Sequence, residues 1–102
     1  MVNKIVNNDM SALEKESYAV VDFSAEWCGP CKMLAPIFHE LSEEMTDVAF
    51  YNIDSDENME LAQKYGIQSI PSLLIMKNGE VVANSLGFQP KPVLKAFIES
   101  NK

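Results

Sequence analysis

The chain turns on E-W-C-G-P-C-K, Glu26 to Lys32, which holds both of its cysteines. Two thiols separated by two residues can be half a metal site, a redox couple or a structural staple. The apolar run Tyr18–Phe23 (Y-A-V-V-D-F) precedes them and reads as a buried strand. Behind them Met33, Leu34, Ile37, Phe38 and Leu41 recur at helical spacing through about Met45. Cys28 and Cys31 therefore open a helix. At i and i+3 their β-carbons lie about 5–6 Å apart on one face, and a slightly irregular first turn brings them to the roughly 4 Å that a disulfide needs. Pro30 suits a first helical position, where its missing N–H costs nothing, and Gly29 permits a tight entry.

A helix N-terminus offers unpaired N–H groups and a partial positive charge, both of which favour thiolate over thiol. Cys28, nearer the open end, is expected to be the exposed nucleophile, and Cys31, one turn in, the buried resolving thiol. A closed zinc site needs four ligands. The chain has no third cysteine, and its one histidine, His39, falls off the apolar stripe of the helix. No metal is expected, a metal shared between two subunits being the competing reading. Gly29 and Pro30 add no charge between the thiols, so the pair leans toward a disulfide reductant.

Charge and composition narrow the setting. The 102 residues carry a net charge of −7 and no Lys/Arg cluster, which disfavours a nucleic-acid partner and favours partners with basic or apolar faces. The length suits one domain over residues 1–102. No run reaches transmembrane length, and the start lacks a signal-peptide core, so no membrane association and a cytoplasmic location are expected.

The remaining chain alternates strand and helix patterns. Ser11 and Glu14 have capping-box spacing for a short helix to about Ser17. Val48–Ile53 reads as a strand. The helix after it has Asp54, Ser55 or Asp56 as caps and Gly66 as its stop. Ser72–Met76 and Val81–Leu86 flank Asn78-Gly79, a strong hairpin signal. A last helix from about Pro92 is expected to bury Val93, Leu94, Phe97 and Ile98, and Met33, Met45 and Met76 to fill core. The class is α/β: a parallel sheet covered by helices, with the hairpin as an antiparallel edge.

In V-D-F-S-A-E-W-C-G-P-C-K (21–32), A-P (35–36), N-I-D (52–54), Y-G-I (65–67), I-P-S-L (70–73), K-N-G-E (77–80) and Gly87, the chain resembles the thioredoxin family. The resemblance implies a central mixed five-stranded sheet flanked by helices on both faces. It implies a monomer that reduces protein disulfides without a cofactor and is recycled by a thioredoxin reductase. Cys28 would attack, Cys31 would resolve, and Asp22 would take the resolving thiol's proton. Pro71 would be cis, with Ile70 offering its backbone to the substrate chain. Trp27, Gly29, Pro30, Ile70, Pro71, Gly87 and Phe88 would form the docking surface. Two positions depart from the family pattern: Ser24 stands where many members have Trp, and Phe50 where many have Lys. A dedicated donor to one enzyme, and a binding module with incidental thiols, are the competing functions.

Overall fold

The computed structural model describes residues 1–102. Five strands, β1 (Val2–Ile5), β2 (Ala19–Ser24), β3 (Ala49–Asp54), β4 (Ser72–Lys77) and β5 (Glu80–Leu86), form one sheet in the order β1-β3-β2-β4-β5. Four helices, α1 (Ser11–Glu14), α2 (Gly29–Glu44), α3 (Met59–Lys64) and α4 (Lys91–Ser100), connect and cover it. Strand β1 was absent from the sequence reading. Of its four residues only Ile5 is buried, and their short polar-interrupted pattern carries little signal until β3 supplies a parallel partner.

Alternation along the strands builds two cores. Val21, Phe23, Tyr51, Ile53, Leu74 and Met76 meet α1 and α3 through Leu13 and Leu61. Val20, Phe50, Leu73 and Ile75 meet Leu34, Phe38 and Leu41 of α2 and Leu94 and Ile98 of α4. The stripe of α2 thus runs through Leu34, Phe38, Leu41 and Met45, and Met33, one position off it, is 61% exposed. On α4, Leu94 and Ile98 are buried, Phe97 is half-buried and Val93 faces solvent. Neither Met33 nor Val93 fills core, because three apolar neighbours per turn exceed the width of the contact.

Strands β1, β3 and β2 run parallel, whereas β4 runs antiparallel to β2 inside the sheet. Helix α2, with 16 residues and about 24 Å of rise, carries the chain back along the sheet. The six residues of α3 rise only about 9 Å. Ile70 then remains beside Cys28, at the end where β2 finishes, so β4 starts there and must run the opposite way. The Asn78-Gly79 turn has both residues at positive φ, as the tight hairpin requires.

Local caps differ from expectation. Ser11 is the first residue of α1, not its cap; its N–H donates to Asp9 Oδ1, and no side chain caps the helix. Asp54 Oδ1 accepts from the N–H groups of Asp56 and Glu57, organising the turn before α3. Helix α3 itself starts after Asn58. Gly66, at φ +64°, ends it as expected.

Asn58 is fully buried and ties three segments together. Its Nδ2 donates to the carbonyls of Ile5 and Asp54, and its Oδ1 accepts from Asn8 N–H. The Asn8 side chain in turn accepts from Leu61 N–H. Removing Asn58 would orphan buried backbone groups at about 1–3 kcal/mol each. Asn58→Ala is expected to lower stability to urea by roughly 2–4 kcal/mol while leaving the catalysed reduction of a protein disulfide within twofold of the parent. An unchanged unfolding midpoint would contradict this.

Candidate active site

The sequence places Cys28 at the N-cap of α2, with extended backbone, Gly29 as the first helical residue and Pro30 as the second. Cys31 N–H donates to Cys28 Sγ at 3.3 Å, the contact that a capping oxygen would make at an ordinary helix start. In the reduced protein that N–H and the positive helix end stabilise negative charge on Cys28 sulfur. Here the two cysteines are joined as a disulfide, with their Cα atoms 5.2 Å apart.

The expected contrast in exposure is not seen: Cys28 is 5% exposed and Cys31 4%. Both sulfurs pack with Ala25, and Ile70 closes over them. Cys28 Sγ lies 3.8 Å from the Ile70 carbonyl oxygen. What distinguishes the thiols is position, since Cys28 caps the helix and Cys31 lies inside it.

Around them, Trp27 is 72% exposed and Gly29 and Pro30 are open to solvent. Trp27 Nε1 donates to Asp56 Oδ2 at 2.7 Å, which fixes the indole at the rim. The Ile70–Pro71 peptide is cis. Gly87 N–H donates to the Pro71 carbonyl at 2.8 Å, and Gly87 takes φ +80°, a conformation that glycine adopts without penalty. Phe88 is half-buried and packs against the α2–α4 core. The fold thus gathers Trp27, the Ile70–Pro71 pair and Gly87 from three separate segments around the disulfide.

Asp22 lies beneath. Alternation on β2 puts it on the α2-facing side with Val20, and it is 2% exposed. Burial pushes its carboxyl up to about 7, against the smaller lowering effect of a hydrogen bond from Asn52. Its Oδ1 has no partner. A cleft of about 360 Å³ opens beside it and is lined by Asp22, Ser24, Cys31 and Asn52, but not by Cys28. Asn52 is the neighbour of Asp22 to which the sequence assigns no role, and Ser24 stands out there only as a departure from the family pattern. Their signal was the register of β2 on β3, which pairs Asp22 with Asn52. Phe50, two residues before Asn52 on the same face, stacks edge-on with Phe38 and closes the apolar end of this column. His39 is exposed on α2.

The family model for thioredoxin matches residues 3–100. Thioredoxin of Bacillus subtilis is 48% identical over 99 residues, covering 96% of this chain and 95% of that protein. Thioredoxin-1 of Saccharomyces cerevisiae is 43% identical over 87 residues, covering 85% and 84% of the two chains. Among solved structures, Plasmodium falciparum thioredoxin superposes with a TM-score of 0.90 at 34% identity, covering 98% of this chain and 99% of its own. The capping disulfide, the mixed five-stranded sheet and these matches agree: the chain belongs to the thioredoxin family of thiol–disulfide oxidoreductases, with Cys28–Cys31 as its redox-active pair.

Proposed function

We propose that the chain, acting as one domain, reduces disulfides in other proteins with Cys28 as nucleophile, Cys31 as resolving thiol and Asp22 as proton acceptor. The Cys28 thiolate attacks one sulfur of the target disulfide. A Cys28–target bond forms, the target S–S bond breaks, and the departing target thiolate takes a proton from solvent. Cys31 then gives its proton to Asp22 and attacks Cys28 Sγ, expelling the second target thiolate. Two electrons pass to the target, and the Cys28–Cys31 disulfide remains.

The cleft that joins Asp22 to Cys31 and omits Cys28 carries this assignment. A carboxyl group held near 7 is partly ionised at neutral pH, so it can accept a proton in one half-cycle and return it in the other. Trp27, Gly29, Pro30, Ile70, Pro71 and Gly87 form the surface on which the target docks. Ile70 offers its backbone carbonyl beside Cys28 Sγ. The carboxylates of Glu26, Asp54 and Glu57 lie within 4.8 Å of one another, and with Asp56 at Trp27 they make that rim negative. Targets with basic residues near the scissile disulfide fit it best.

The family implies disulfide-bearing protein substrates and recycling by a reductase. A thioredoxin reductase, a monomeric state and a cytoplasmic setting complete the proposal. No helix is long and apolar enough to cross a membrane.

Three outcomes test these roles. Cys31→Ser is expected to accumulate a Cys28-linked mixed disulfide with a protein substrate, visible on non-reducing gels, whereas Cys28→Ser should form none; equal trapping by both would reverse the assignment. Asp22→Asn should slow release of the second target thiol by about 10- to 100-fold at neutral pH, within the span of general-base effects, and leave the first attack unchanged. Equal slowing of both steps would count against a proton-acceptor role. Asp22 also governs stability. Its folded value, about 7, exceeds its ordinary 3.8, so the carboxyl imposes no penalty below about pH 4 and an increasing one as pH rises through 7. Chemical denaturation should therefore find Asp22→Asn close to the parent at pH 4 and more stable at pH 8, by at most about 4 kcal/mol. An advantage that does not grow with pH would contradict the buried, raised carboxyl.

A further inference from the structure

Asp22, Ser24 and Asn52 form a polar triangle at the point where the apolar face of the sheet meets the start of α2. Asn52 Nδ2 lies 2.9 Å from Ser24 Oγ, 3.2 Å from the Asp22 carbonyl and 3.5 Å from Asp22 Oδ2. The amide thus rests firmly on Ser24 and the β2 backbone and touches the carboxylate at long range. One carboxylate oxygen faces a donor, and the other, Oδ1, is buried without one. Ser24 stands where a bulkier indole is common in the family, and the space beside it belongs to the cleft that Cys31 lines.

We propose that Asn52 is a positioning residue for the resolving step: anchored on Ser24, its amide engages Asp22 Oδ2 and leaves Oδ1 as the free atom that accepts the Cys31 proton. The inference rests on the proton-acceptor reading of Asp22. A donor aimed at one carboxylate oxygen stabilises the ionised form and directs protonation to the other. The same donor favours the form of Asp22 that is competent to accept a proton, so its loss raises the pH at which resolution reaches half its limiting rate. The step itself is unchanged in balance: the proton leaves Cys31 Sγ for Asp22 Oδ1, and the sulfur electron pair forms the bond to Cys28 Sγ.

Other ionisable groups also face this cleft. They are Lys4 from β1, Glu26 from the loop before α2, Lys32 and His39 from α2, and Asp54 and Glu57 at and beyond the end of β3. Because these groups share the cleft with Asp22, a pH profile in one variant does not suffice. A comparison in two backgrounds removes the contribution of these groups, because they are common to both.

The experiment follows reduced protein reacting with Ellman's reagent in a stopped-flow instrument from pH 5 to 9. The first thionitrobenzoate release reports attack by Cys28 and the second reports resolution by Cys31. Asn52→Leu is expected to raise the midpoint of the second phase by roughly half to one pH unit, as a long hydrogen bond to a charged group warrants. That makes resolution three- to tenfold slower at pH 6 and equal to the parent at pH 9. The first phase should not change. In an Asp22→Asn background the same substitution should have no effect on either phase. Asn52→Val, a smaller strand former, provides the same comparison if the leucine variant is unstable. A midpoint that stays in place, or equal slowing with and without the Asp22 carboxyl, would overturn the positioning role. Should Asp22→Asn alone leave the second phase unchanged at every pH, the proton-acceptor reading itself fails and this inference falls with it.

Discussion

A carboxyl group buried on the inner face of a sheet is costly unless it is hydrogen-bonded, and Asp22 is 2% exposed with one oxygen unpartnered. Everything near it follows from that constraint. Replacement by an apolar residue would continue the core that Val20 and Phe50 begin. The chain instead keeps an acid beneath the helix whose first turn holds the cysteines, and its proton affinity is pushed up to about 7 by the surrounding apolar packing. Stability is given up at neutral pH in exchange for a group that gains and loses a proton there.

The rest of the fold delivers two thiols to the acid in unequal roles. Helix α2 caps itself with Cys28 sulfur, so its N–H groups favour a thiolate there, as the proposed attacking role requires. Cys31, within the first turn, shares the cleft with Asp22. Exposure does not separate them in the disulfide form, because Ile70 packs against both; they differ in that Cys28 caps the helix and Cys31 alone lines the cleft with Asp22. The Ile70–Pro71 segment serves architecture and chemistry together. Holding Ile70 beside Cys28 forces β4 to enter from the end where β2 finishes, and this makes the sheet mixed.

Much of this was legible in the sequence because the signals were local. Strand runs, the stripe of α2, the Asn78-Gly79 turn and the Gly66 stop all fell within about two residues of their expected bounds. The cysteine pair fell at a helix start as the flanking strand and helix patterns place it, and the shortage of further metal ligands left the redox reading in front. What escaped depends on contacts across the chain. Strand β1 needs β3 to exist, Asn58 is revealed as a hub only when β1 and α3 meet it, and the partnership of Asn52 with Asp22 is a matter of strand register. Met33 and Val93 carried apolar character beyond the width of the buried faces. The cis geometry at Pro71 and the docking surface were legible only through family resemblance, since no local signal distinguishes them.

The account depends most on the protonation of a single side chain. Carbon NMR of protein labelled at aspartate carboxyl groups can follow Asp22 directly, with Asp22→Asn identifying its resonance. A midpoint near 7 in the disulfide form is the predicted result. Titration near 4, the ordinary aspartate range, would mean that burial does not hold the proton on this carboxyl, and would contradict the mechanism built on it.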